Sequence, residues 1–143
     1  VGSEMCIRDR AMEAARKADK PLFVDITGIS CVNCREMEMR VWSDPRVQEI
    51  LRNDYVLVAL YTDDKTRLPE SEWVTTENGK VLKDMGRINS YLVQKRFGVT
   101  GQPNYVLLDN QGEQLVPMRA YNLDVDAYIQ FLQSGVEAYK AGK

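Results

Sequence analysis

Two cysteines separated by two residues, Cys31 and Cys34 in the stretch GISCVNCREME at 28–38, are the side chains best equipped for chemistry. Three uses of such a pair compete. A structural zinc site takes four ligands, usually two such pairs or cysteines with histidines, whereas this chain has a single Cys-x-x-Cys and no histidine. A purely structural disulfide across so short a loop restrains little unfolded-chain entropy. Reversible thiol–disulfide exchange fits the residue types and the spacing best. The lack of histidine also excludes Ser-His and Cys-His catalytic pairs.

The 143 residues, 44% hydrophobic and 28% charged, fit one soluble globular domain with a sizeable core. A formal charge of −2 gives no basic field for a nucleic-acid partner. No run reaches the roughly 18 to 20 apolar residues of a membrane helix. The opening decapeptide VGSEMCIRDR stands apart. One permitted coding of Val1 to Asp9 resembles the end of a transposase adapter used to prepare sequencing libraries. Residues 1–10 are therefore expected to be adapter-derived, residues 11–143 to be the domain, and Cys6 is set aside. With such a start, a missing upstream signal or membrane segment carries no information, and localisation has to come from the chemistry.

The elements that must position the cysteines follow from local pattern. Residues 11–19 are alanine-rich helix formers, Pro21 stops them, and KPLFVDIT reads as a buried strand. VNCREMEMRVW suits a helix. Asp44 is an N-cap with Pro45 at the first helical position, and Val47, Ile50 and Leu51 share a face. YVLVALYTD is long enough to cross a sheet centre. Residues 63–86 read as a polar, hairpin-like insertion on the rim, with Asn78-Gly79 at its turn. RINSYLVQKRFG is a helix closed by Gly98. NYVLLDNQGEQLVPM reads as two strands around an Asn-Gln-Gly turn, and Val125, Tyr128, Ile129, Leu132, Val136 and Tyr139 form one stripe of a last helix. The expected order is α-β-α-α-β-(insert)-α-β-β-α. With the strand ending near Thr27 and the helix starting around Cys31, the helix N-terminus favours a thiolate at Cys31. Cys31 is then the nucleophile, and Cys34, one turn on, resolves the mixed disulfide.

This order, with a strand feeding the cysteine pair and a late hairpin plus helix, resembles the thioredoxin fold: an α/β domain with a central mixed sheet flanked by helices. The stretches CVNCR and YVLLD, with the insertion between them, are similar to the C-terminal thioredoxin-like domain of the thiol:disulfide interchange protein DsbD family. The resemblance implies a protein-disulfide reductase or electron relay that needs no cofactor or metal beyond the Cys31–Cys34 disulfide. It implies protein dithiol and disulfide partners, among them a membrane electron-donor domain and envelope redox proteins, including those of cytochrome c maturation. The implied place is the bacterial periplasm or cell envelope, tethered to the inner membrane. A free-standing thioredoxin-like reductase and a non-catalytic peptide-binding module remain the alternatives.

By the same resemblance, Asp25 matches the buried acid that accepts or relays the proton of the resolving thiol, and burying a carboxyl without purpose is expensive. Glu38, four residues after Cys34, matches an acidic position of the DsbD domain. Negative charge there raises a cysteine pKa and opposes the helix terminus and Arg35. Pro103, just before a strand, matches the cis-proline that lies opposite the cysteines, and Gln102 and Pro103 are the expected substrate-binding positions. Gln102 departs from the small or apolar residue common there, and Ser30 stands where thioredoxins carry tryptophan. Trp42 or Trp73 could replace that aromatic platform, but both read better as core or rim packing. Val32-Asn33 lacks the histidine of the oxidase DsbA, which favours a reductant. Met37 and Met39 are expected to be packing residues.

Overall fold

The computed structural model describes residues 4–142, with side chains from Asp9 onward. The first helix, α1 (Glu4–Ala18), is followed by β1 (Leu22–Thr27), α2 (Val32–Arg40), α3 (Pro45–Asp54) and β2 (Val56–Tyr61). An insertion then carries a 3₁₀ turn at Glu70–Glu72 and the strands β3 (Val74–Thr75) and β4 (Val81–Leu82). The chain ends with α4 (Met85–Phe97), β5 (Asn104–Leu108), β6 (Arg119–Ala120) and α5 (Val125–Ala141). The element order is the expected one, in an α/β fold with a mixed sheet flanked by helices. Helix α1 runs back through residues 4–10 as continuous backbone, and the Cys6 side chain lies outside the described ones.

The sheet order is β2-β1-β5-β6, with β1 parallel to β2 and antiparallel to β5. All six residues of β1 are buried, so the strand is sandwiched on both faces and its alternation sorts side chains between two cores. Phe23 joins Met37, Val41, Val47, Leu51, Tyr55, Tyr105, Tyr128 and Leu132 beneath α2, α3 and α5. Leu22, Val24 and Ile26 join Val58, Leu60, Val93, Val106 and Leu108 beneath α1 and α4. Each fully buried side chain of this size contributes roughly 1.5–3 kcal/mol. Asp25 shares the Phe23 face, and the pleat thereby directs a carboxyl toward the helix that carries the cysteines.

Caps set the helix limits. The Asp44 side chain accepts from the Arg46 N–H with Pro45 at the first helical position, and Gly98 closes α4 at φ 73°, a conformation open to glycine without Cβ strain. Helix α4 starts at Met85, two residues ahead of the expected helix start at Arg87, because the Asp84 carboxylate caps the Arg87 N–H. The β3–β4 hairpin turns through Gly79 at φ 87°. The insertion has its own small core of Leu68 and Leu82 packed on Ile88 of α4, so it is more than a polar rim.

Three expectations are corrected. Strand β2 lies at the sheet edge, pairing with β1, and Leu57 is 43% exposed; β1 and β5, buried on both faces, take the centre. Residues 114–118 make a single bridge, Leu108 to Gln114, and the ladder resumes only at Arg119. Pro117 has no N–H to give to it. Met37 is fully buried, but Met39 is 74% exposed, because positions two apart on a helix face different directions.

Candidate redox site

Thr27 ends β1, residues 28–31 turn, and Cys31 caps α2 with extended backbone, its Sγ 3.1 Å from the Cys34 N–H. Cys31 and Cys34 form a disulfide with Cα atoms 5.2 Å apart. Cys31 is 9% exposed and Cys34 2%, so the Cys31 sulfur is the more accessible of the two. Around the outer sulfur, Ile29 and Val32 are 56% and 78% exposed, an apolar rim beside the reactive atom.

Asp25 sits under this helix at 8% exposure. Burial pushes its carboxyl up to about 7, the charge of Glu38 adds to the rise, and Arg35 opposes it. Such a group exchanges protons near neutrality. Glu38 pairs with Arg35 at 3.2 Å on the same helix. The guanidinium of Arg35 also donates to the Gly28 carbonyl at 3.1 Å and to the Thr27 hydroxyl at 3.2 Å. It therefore both offsets Glu38 and fastens the turn that precedes Cys31.

The Gln102–Pro103 peptide is cis, and Pro103 is buried directly before β5. Gln102 approaches the turn from the far side. Its Oε1 accepts from the Thr62 hydroxyl at 3.1 Å, and its amide nitrogen fills the space that a Cβ at Gly28 would occupy. The side chain is thus engaged within the protein, and the sequence positions 25, 31, 34, 38, 102 and 103 gather around one end of β1. Trp42 packs edge-on to Phe23 at 5.8 Å and donates to the Tyr128 hydroxyl at 3.0 Å. Trp73 donates to the Leu68 carbonyl in the insertion. Both tryptophans are packing residues, and neither supplies a platform beside Cys31.

Sequence reasoning missed Asp63. Its Oδ1 accepts from the Ile29 N–H at 2.6 Å and its Oδ2 from the Ser30 N–H at 2.9 Å, and these bonds hold its carboxyl below the usual range. A signal existed, since functional residues of α/β sheets gather beyond the carboxyl ends of parallel strands, and Asp63 follows β2 where it runs beside β1. Also missed was Tyr121, whose hydroxyl donates to Glu36 and ties the segment after β6 to α2. Among the described residues no group of three or more His, Cys, Asp and Glu side chains could hold a metal ion. No described helix is long and apolar enough to cross a membrane.

The chain is similar to several known proteins. A model of a thioredoxin-like domain matches residues 8–134. The thiol:disulfide interchange protein DsbD of Yersinia pestis (strain Pestoides F) is 27% identical over 121 residues, 84% of this chain and 17% of that protein. DsbD of Ralstonia nicotianae is 27% identical over 116 residues, 81% of this chain and 15% of that protein. The chain therefore spans about a sixth of the length of these curated relatives. Among solved structures, the DsbH oxidoreductase has a TM-score of 0.66 at 20% identity, covering 95% of this chain and 83% of that one. The oxidised C-terminal domain of Neisseria meningitidis DsbD has a TM-score of 0.62 at 14% identity, covering 94% and 97%. With the family model matching most of its length and solved structures sharing its fold over nearly all of it, the chain belongs to the thioredoxin-like domain family.

Proposed function

We propose that this domain is a thiol:disulfide oxidoreductase that works as a reductant or electron relay, in the manner of the DsbD relatives it resembles. The observation that carries the reading is the Cys31–Cys34 disulfide at the start of α2, above the buried carboxyl of Asp25. In the dithiol form the Cys31 thiolate attacks a partner disulfide. One S–S bond forms between Cys31 and the partner, and the partner's second sulfur leaves as a thiolate. Cys34 then gives its proton to the Asp25 carboxylate and attacks Cys31. The internal disulfide closes, and the partner's first sulfur is released. Two electrons have passed from the domain to the partner. The same steps reversed recharge the domain from an upstream dithiol.

By analogy with DsbD, the donor is a membrane-embedded dithiol domain and the acceptors are redox proteins of the bacterial envelope. The exposed Ile29 and Val32 and the edge beside Pro103 are suited to an extended polypeptide partner rather than a small molecule. The test is the reduction potential of the pair, from graded glutathione buffers and a mass count of alkylated thiols in a Cys6→Ser background. A value in the thioredoxin to glutaredoxin range, roughly −200 to −270 mV, supports a reductant or relay. A value near about −120 mV indicates an oxidase. A biological effect that survives Cys31→Ser would instead indicate a binding module.

A further inference from the structure

The turn that delivers Cys31 spans residues 28–31 and closes with the Cys31 N–H on the Gly28 carbonyl at 3.4 Å. Its two central amides, those of Ile29 and Ser30, are both taken by one carboxylate, with a separate oxygen of Asp63 for each. Asp63 is 33 residues from Ser30 and belongs to no helix or strand, so its placement needs its own supports. The Thr62 N–H extends the β1–β2 pairing by bonding the Thr27 carbonyl at 3.0 Å. On the other side the Gly86 N–H donates to the Asp64 carbonyl at 2.8 Å, and a Cβ at Gly86 would stand 2.7 Å from the Asp64 nitrogen. The backbone of 63–64 is therefore pressed against the first turn of α4 in a way only glycine permits.

We propose that Asp63 is a positioning residue for the redox pair: it fixes the turn that presents Cys31 and, by placing a full negative charge on the two amides before it, keeps the dithiol reducing. The proposal rests on the redox reading above and extends it. Amides at a helix start normally stabilise a thiolate. The Ile29 and Ser30 amides lie in the turn before α2 and bind Asp63, whose charge opposes the helix start, while the Cys31 sulfur keeps the Cys34 N–H on the α2 side. A less stabilised thiolate makes the reduced form less favourable and the domain a stronger reductant. The other charged or titratable groups around the pair are Asp25 on β1, Arg35 and Glu38 on α2, and Tyr105 on β5. Arg35 also acts on the Asp63 carboxyl, so the charge-keeping variant Asp63→Glu is the control for these neighbours.

The experiment compares wild type, Asp63→Asn, Asp63→Ala and Asp63→Glu in a Cys6→Ser background. Two quantities are read: the equilibrium with glutathione, and the pH profile of Cys31 alkylation. Circular dichroism and urea unfolding establish which variants are folded. Folded neutral variants should shift the glutathione equilibrium toward the dithiol by about three- to tenfold, as expected for losing one nearby charge in a partly solvated site. A tenfold change is about 30 mV. Their alkylation profile should move to lower pH, and Asp63→Glu, which keeps the charge, should stay within about twofold of wild type in both. A purely structural role would alter stability without this ordered response. Neutral variants that match wild type within about twofold overturn the Asp63 assignment and leave the redox reading intact. A wild-type pair that never cycles overturns the redox reading, and this proposal with it.

Discussion

Replacing Asp25 by asparagine removes a carboxyl that folding carries from 3.8 to about 7, chiefly through burial. Between those two values the native state holds a proton that the unfolded chain has released. Stability attributable to this group is therefore full below about pH 4, is lost as pH rises toward 7, and stays lost above it. A rise of about three units, at about 1.4 kcal/mol each, makes the loss about 4 kcal/mol. Asparagine has nearly the same shape and does not titrate. It still buries a polar amide at roughly 1–3 kcal/mol, but that cost is independent of pH. The diagnostic is therefore the slope with pH rather than the offset. Urea unfolding of the oxidised protein, wild type against Asp25→Asn at intervals from pH 4 to 8.5, measures it. Their stability difference should change by about 4 kcal/mol in favour of the variant as pH rises, most of it before pH 7, with unchanged m-values. Parallel curves, differing by a constant within about 1 kcal/mol, would refute the assignment of a buried carboxyl with a strongly raised pKa.

The remaining predictions concern the exchange cycle and close packing. Cys34→Ser should accumulate mixed disulfides through Cys31 with a model disulfide, seen as mass adducts, whereas Cys31→Ser should form few because Cys34 is only 2% exposed. Equal trapping by the two would reverse the assigned roles. Gly135→Ala should destabilise the protein by about 1–2 kcal/mol in urea without altering the glutathione equilibrium, because the new Cβ meets the Leu107 side chain and the Tyr55 hydroxyl, which donates to the Leu132 carbonyl at 2.6 Å. Gly86→Ala meets backbone at 2.7 and 2.8 Å and displaces residues 63–64; it should cost about 1–3 kcal/mol and, unlike Gly135→Ala, also move the glutathione equilibrium.

What could be read from the chain was local. The Cys31-x-x-Cys34 spacing, the Asp44 and Pro45 start of α3, the Gly98 stop of α4, the turn at Asn78-Gly79 and the stripe of α5 depend on residues within one or two turns of each other. Asp25 was legible because a carboxyl inside an apolar strand is costly wherever that strand lies. Resemblance then joined Asp25, Glu38 and Pro103 to the cysteines, which composition and periodicity could not do. Tertiary structure alone decided the rest. An apolar run such as VLVALY is compatible with a central or an edge strand, and only the pairing of β2 with β1 placed it at the edge. The two methionines after Cys34 look alike in sequence, and helix rotation buried one and exposed the other. The Gln102 side chain accepts from the Thr62 hydroxyl and takes up the space beside Gly28, a contact across more than thirty residues that no local pattern announces. Asp63 meets Ile29 and Ser30 across more than thirty residues because β2 runs parallel to β1 and ends beside it. A contact of that kind is created by strand register and by the close approach at Gly86, and neither leaves a periodic mark in the sequence.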